Sequence, residues 1–187
     1  MGKLTLEDLA GLREASRQLL WPSPGKLVVG MSSCGLAAGA AEVHEALLAS
    51  REHGLEFTIG KTGCLGLCSR EPLLEVRLPS GIRVVYGEVK GDETEELLKS
   101  IKQGVIPREG ALFWIGEEED KSLLPPDLEG LPHISTYPFY RLQRRTVLAN
   151  CGFIDPLEIR EYIATGGYSA LAKALSMDPE EVIEEVK

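Results

Sequence analysis

Two short apolar runs, KLVVGM at 26–31 and LEFTIGK at 55–61, stand on either side of one helical pattern, AGAAEVHEALLASREHG at 38–54. That order constrains the fold more than any other feature of the chain. A helix between two neighbouring strands carries the chain back along the sheet, so the strands run parallel and side by side. Gly54 is placed to stop the helix, and LEFTIGK alternates apolar and polar residues as a half-buried strand does. PLLEVRLP (72–79), a Ser80-Gly81 turn and IRVVYGEV (82–89) then read as a hairpin. DETEELLKSIKQG (92–104) follows as a helix, with acids in its first turn and Gly104 as its stop. Residues 5–20 form an amphipathic helix in front of all this. Thr5 and Asp8 have the spacing of a capping box, and Leu6, Leu9, Leu12, Leu19 and Leu20 fall largely on one face.

The order helix, β-α-β, β-β-α predicts the α/β class. The layout is a thioredoxin-like four-stranded mixed sheet with an extra N-terminal helix, filling residues 1–104. Residues 105–136 carry Pro107, Pro125, Pro126, Pro132 and the acidic run GEEED, and read as a linker or meandering extension. From Tyr137 to Lys187 the pattern is helical again. PFYRLQRRTVLANCG is expected to be a helix. Asp155-Pro156 and Asp178-Pro179 read as helix starts with proline at the first helical position, and Gly166-Gly167 separates two short helices.

The composition bounds the function. The chain is 43% hydrophobic and 26% charged, which is globular rather than disordered. A net charge of −9 repels phosphate backbones and argues against nucleic acid as a partner. No apolar run reaches the roughly 20 residues of a membrane helix, and MGKLTLEDLAGLREASRQLLW is too charged for a signal peptide. The expectation is a cytoplasmic protein without membrane insertion. Disulfides are rare in that compartment, so paired cysteines there point to metal or redox chemistry.

The pair is in KTGCLGLCSREP, where Cys64 and Cys68 are four residues apart with Gly63 and Gly66 beside them. Glycines let backbone N–H groups turn inward, and N–H donors stabilise the charge of thiolate ligands. Cys34, in VVGMSSCGLAAGA, sits just past the first strand. A β-α-β unit puts the ends of its two strands together, so Cys34 and the 64–68 loop are expected to converge. The array SSCGLAAGA, KTGCLGLCSREPLLEV, VVYGEV resembles the thioredoxin-like [2Fe–2S] ferredoxin domain. The resemblance implies ligands in a Cys-x4-Cys pair and a later Cys-x3-Cys pair. Cys64 and Cys68 match the second pair and Cys34 the last member of the first. Val29 occupies the remaining ligand position, so a fourth ligand would come from elsewhere, with Ser32 and Ser33 the nearest oxygen donors.

QRRTVLANCGFIDPLEIREYIATGGYSALAKAL resembles the segment that leads into the flavin-binding core of the NADH-oxidising flavoprotein subunit (NuoF type). That subunit occurs in NADH:quinone oxidoreductase and in NAD(P)-linked and electron-bifurcating [FeFe]-hydrogenases. The resemblance implies that FMN and NAD are bound in a part following residue 187 or in partner subunits of an NAD(P)H-linked redox complex. The chain would then be a fragment or split component, inactive alone.

The remaining chemistry-bearing residues read as ordinary. Cys151 is isolated and fits a small packing residue. His44, His53 and His133 lack companions at ligand spacing. Residues 117–120 fit a solvated loop. Arg141, Arg144 and Arg145 fit surface charge on a helix, with docking of an acidic subunit as the functional alternative. TGGYSAL fits a helix break better than a phosphate loop, and no catalytic site residue or hydrolase triad is legible. Two functions stay open: electron transfer through a [2Fe–2S] cluster, and a cluster-less docking or assembly module of the same kind of complex.

Overall fold

The computed structural model describes residues 5–52, 54–91 and 93–187. The helices and strands run α1 (Leu6–Leu20), β1 (Lys26–Gly30), α2 (Ser33–Ala37), α3 (Ala40–Glu52), β2 (Thr58–Thr62), β3 (Leu74–Arg77), β4 (Arg83–Tyr86), α4 (Glu93–Lys102), β5 (Ala111–Ile115), α5 (Ile159–Ala164), α6 (Ser169–Ala174) and α7 (Pro179–Val186). They divide into two compact units, Trp21–Asp155 and Met1–Leu20 with Pro156–Lys187.

In the larger unit the strands form one mixed sheet in the order β2-β1-β3-β4-β5. β1 and β2 are parallel, with Lys26 opposite Thr58 and Gly30 opposite Thr62. β3 and β4 are an antiparallel hairpin, with Leu74 opposite Tyr86. The parallel pair and the hairpin are those expected from the sequence.

The count of four strands is corrected to five. The fifth, ALFWI, comes from the segment read as a linker and pairs antiparallel with β4, Val85 against Phe113 and Val84 against Trp114. It is a run of five apolar residues, too short to declare itself among the prolines that follow. Once the hairpin forms, it covers the edge of β4 that would otherwise be open.

Strand alternation gives the sheet two different faces. Leu27 and Val29, Leu74 and Val76, Val84 and Tyr86, and Trp114 pack with Val43 and Leu47 of α3 and Leu98 and Ile101 of α4 in the main core. Leu73, Val85 and Phe113 point the other way and pack with Leu65, Leu67 and Tyr140.

That second face is covered by residues 137–154, where the expected helix is absent. PFYRLQRRTVLANCG forms a series of turns instead. The sheet competes successfully for this segment. Tyr137 (tilted) and Tyr140 (edge-on) pack against Phe113, with ring centroids 4.7 and 5.4 Å away, while backbone carbonyls farther along are taken by side chains of the sheet. Asp155-Pro156 does not start a helix either; α5 begins at Ile159, where the Glu158 side chain accepts from the Arg160 amide.

In the smaller unit α1 packs on α5. Arg13 donates to the carbonyl of Ile163 (3.3 Å) and to Ser169 Oγ (2.7 Å). Thr5 and Asp8 make the reciprocal cap expected of them, and Asp178 and Glu181 make another at the start of α7. The Gly166-Gly167 break between α5 and α6 is enforced sterically: Gly166 has φ +97°, and a Cβ at Gly167 would run into the Tyr162 ring.

Candidate metal centre

The loop that follows β2 carries Cys64 and Cys68. Their sulfurs lie 3.7 Å apart. Gly66, at φ +100°, turns its amide inward to donate to Cys64 Sγ at 3.2 Å. Two thiolates on one tetrahedral metal, with metal–sulfur bonds of about 2.3 Å, sit about 3.8 Å apart. The pair therefore admits a shared metal with little movement, although the same distance is also ordinary contact between two thiols.

Burial pushes the Cys64 thiol up; the Gly66 amide opposes this, Cys68 adds to it, and the Ser32 hydroxyl pulls it down. The net direction is upward. A thiol so held is a weak nucleophile at neutral pH. A cation would supply the positive charge that its thiolate lacks here, so the environment suits ligation better than nucleophilic catalysis.

The loop is braced from the second face of the sheet. The Tyr140 hydroxyl donates to the Leu65 carbonyl at 3.2 Å. Gly152, at φ +75°, lies so close to Leu65 that a Cβ there would come 2.8 Å from its Cα. Two buried arginines hold residues 152–153 in place. Arg83 donates to the Gly152 carbonyl (2.8 Å) and Arg77 to that of Phe153 (2.5 Å). Both guanidinium groups face the Phe153 ring, 4.7 and 5.0 Å from its centroid. Glu75 is their shared counter-charge, bonding Arg83 through both oxygens (2.9 and 2.6 Å) and pairing with Arg77 as well. Thr62, the last residue of β2, adds a hydroxyl bond to the Ile154 carbonyl (2.9 Å). Sequence reasoning missed this whole brace. Its only local sign is charge at alternate hairpin positions, which looks like an ordinary wet face.

The other expected ligand positions are placed less simply. Cys34 is exposed in the first turn of α2. Like the 64–68 loop it follows the paired strand ends, Gly30 opposite Thr62. Among the described residues no three His, Cys, Asp or Glu side chains gather as a metal-binding group; the structure joins Cys64 to Cys68 and does not join Cys34 to them. Val29 is fully buried in the main core, beside α3. The Ser32 hydroxyl is buried and makes no hydrogen bond of normal geometry, yet lies near enough to Cys64 to bias its titration.

Glu71 is a further buried polar group that the sequence did not single out. One carboxylate oxygen accepts the Leu73 amide at 2.8 Å and the other has no partner. Burial, opposed by that amide, raises its pKa.

Cys151 is exposed in a turn rather than a helix. His133 bridges the Gly116 carbonyl and Ser135 beside Trp114, a packing role. Burial, and then Lys61, lower the pKa of His44. His53 lies outside the described residues. Arg145 donates to the Cys151 carbonyl at 2.6 Å, while Arg141 and Arg144 are exposed.

A mixed five-stranded α/β sheet with a dithiol loop at the end of its parallel pair is the class the structure defines. No family model matches the chain. Over 45 residues, 24% of the chain, it is 56% identical to the NADP-reducing hydrogenase subunit HndC of Solidesulfovibrio fructosivorans, of which the match spans 9%. Over 60 residues it is 42% identical to the 2Fe-2S ferredoxin of Clostridium pasteurianum, covering 32% of this chain and 56% of that one. Over 114 residues it is 28% identical to the hydrogenase subunit HndB of S. fructosivorans, covering 58% and 89%. Among solved structures it is similar to a thioredoxin-like [2Fe-2S] ferredoxin from Aquifex aeolicus, at 22% identity, 47% of this chain, 89% of that one and a TM-score of 0.42. The chain thus matches under a tenth of HndC and just over half of the clostridial ferredoxin. Among the described residues no helix is long and apolar enough to cross a membrane.

Proposed function

We propose that the chain is an electron-transfer component of an NAD(P)H-linked, hydrogenase-type redox complex, and that its dithiol loop holds a [2Fe–2S] cluster. The observation that carries this reading is the Cys64–Cys68 pair, 3.7 Å apart with the Gly66 amide on one sulfur. The 42% identity to a 2Fe-2S ferredoxin supports it. Cys34, Cys64 and Cys68 would be the thiolate ligands, the first standing on the turn that follows β1. When bound, such a cluster accepts and releases one electron at a time.

The chain's own part is to position and tune. Gly66 donates to a ligand sulfur, which stabilises the reduced cluster. Tyr140 and Gly152 hold the Leu65 backbone between the two cysteines, so the ligand separation is set by the sheet rather than by a free loop. The cluster-bearing part falls within residues 1–104, with 105–136 as an extension. Residues 137–187 resemble the lead-in to a flavin core, so FMN and NAD belong to a following part of a NuoF-type flavoprotein or to partner subunits. Nucleic acid is not among the partners, and the protein works in the cytoplasm without membrane insertion.

Anaerobic reconstitution with iron and sulfide tests the reading. The wild type should give iron, acid-labile sulfide and, once reduced, the paramagnetic signal of a [2Fe–2S] centre. Cys64→Ser and Cys68→Ser should lose it, and Cys151→Ser should not. A wild type that takes up no iron refutes the proposal. It would leave the second reading, a cluster-less docking module, which the separation of Cys34 from the pair and the burial of Val29 both favour.

A further inference from the structure

We propose that Cys64 and Cys68 form a dithiol–disulfide site, closing on each other by exchange with a low-molecular-weight disulfide. The fold prepares the pair for this. Along the loop, Leu65 and Leu67 are buried with Val85 and Phe113 of the sheet, and the Tyr140 hydroxyl holds the Leu65 carbonyl. The alternate residues Cys64, Gly66 and Cys68 are left toward solvent, Cys64 partly exposed and Cys68 exposed. Two anchored leucines thus present two sulfurs together, in contact at 3.7 Å, where a small reagent reaches them.

The loop also has room to close. A disulfide bond is about 2.05 Å long, so the sulfurs must approach by about 1.7 Å from their 3.7 Å contact. Among the described residues a Cβ at Gly63 would meet nothing within 4 Å, and one at Gly66 only the Phe139 ring at 3.9 Å. Nor does a further ligand compete for the pair: among the described residues no third His, Cys, Asp or Glu gathers with it. Two thiols in mutual contact suffice for a disulfide, whereas a metal centre needs more donors.

The exchange runs in two steps. The Cys68 thiolate, on the more exposed side chain, attacks one sulfur of the small disulfide; that S–S bond breaks and one small thiolate leaves and takes up a proton. The Cys64 thiolate then attacks Cys68 Sγ, forming the Cys64–Cys68 bond and releasing the second small thiol. The dithiol loses two electrons and two protons, and the small disulfide gains them as two thiols. The second step needs no encounter, since the fold already holds its partners together. In a reducing compartment such bonds are transient and redox-sensing rather than structural. On the reading that this loop holds a cluster, closure withdraws two of its ligands, so the oxidised chain should take up no iron until it is reduced.

The test uses the full chain freed of metal and equilibrated in buffers of reduced and oxidised glutathione. Trypsin, cutting after Lys61 and Arg70, places both cysteines on one peptide, residues 62–70, with Cys34 and Cys151 on others. In the wild type that peptide should become lighter by two hydrogens and carry no glutathione. Cys34→Ser and Cys151→Ser should behave alike, while Cys64→Ser and Cys68→Ser should instead hold glutathione on the remaining thiol. The native pair should close at least about tenfold more favourably than the same pair in the urea-unfolded chain, because contact is made in advance. Separate glutathione adducts on Cys64 and Cys68, a bond to Cys34 or Cys151, or an unfolded chain that closes as readily each overturn the proposal. Equal iron uptake by the oxidised and reduced chains overturns the control of ligation. A chain that closes the pair but binds no iron when reduced overturns the cluster reading and upholds the disulfide.

Discussion

Replacing Glu75 with glutamine should unfasten the brace behind the cysteine loop. Glu75 is 5% exposed and is the shared counter-charge of Arg77 (1%) and Arg83 (9%). The glutamine keeps the shape but removes the shared negative charge from two buried guanidinium groups. Removing one partner of a buried ion pair costs about 3–5 kcal/mol. Here two cations lose their anion at once, so the upper part of that range applies. For a unit of this size each kcal/mol is worth roughly 3–5 °C in melting temperature, and the expected drop is roughly 12–25 °C.

The wild type should also carry an acid dependence that the variant lacks. Burial pushes the Glu75 carboxyl up, but Arg77 and Arg83 together overcome it and hold its pKa below the ordinary carboxylate value. A carboxylate depressed in the folded state stabilises above its unfolded pKa, and this contribution is lost as pH falls through the folded one. The gap between wild type and Glu75→Gln should accordingly be full at neutral pH and narrow in acid. Thermal and urea melts followed by circular dichroism at several pH values measure both effects. Trp21, 6.0 Å from the Phe153 ring, offers a fluorescence reading of the clamped segment itself. A loss under about 1 kcal/mol at neutral pH would refute the reasoning, because it would place the pair in the class of solvent-screened bridges.

Gly152→Ala should destabilise by at least about 1–3 kcal/mol, since Gly152 has φ +75° and the added methyl meets Leu65 backbone; an unchanged urea midpoint would show that the segment does not hold the loop. Tyr140→Phe should cost about 1 kcal/mol by leaving the Leu65 carbonyl without its donor, and faster amide exchange at 64–68 is the accompanying sign. Glu71→Gln should be more stable than wild type at neutral pH, because burial raises this carboxyl's pKa. The stability of a raised carboxyl is present below its unfolded pKa and lost as pH rises through the folded one, so the advantage should vanish in acid; paired melts at acid and neutral pH check this.

Local signals carried much of this protein. Two strand patterns around one helix determined a parallel pair, because a crossover of that length returns the chain in the same direction. Ser80-Gly81 between apolar runs determined the hairpin. Thr5 with Asp8 determined the start of α1, since a cap is made by residues three apart, and Asp178 before Pro179 marked the start of α7. Cys64 and Cys68 were legible for the same reason: one short loop contains both and the glycine that turns an amide toward them. What escaped depends on pairing between distant residues. ALFWI became a strand only because β4 offered it a free edge. PFYRLQRRTVLANCG has helical spacing, yet Tyr140 packs edge-on against Phe113, and the carbonyls of Gly152 and of the next residue, Phe153, bond to Arg83 and Arg77, which lie roughly seventy residues earlier. Val29 and Ser32 are three residues apart and both near the expected ligands. Only the strand's alternation, with one face buried against α3 and the chain turning out of the sheet beyond Gly30, put Val29 in the core and set Ser32 in the turn before α2.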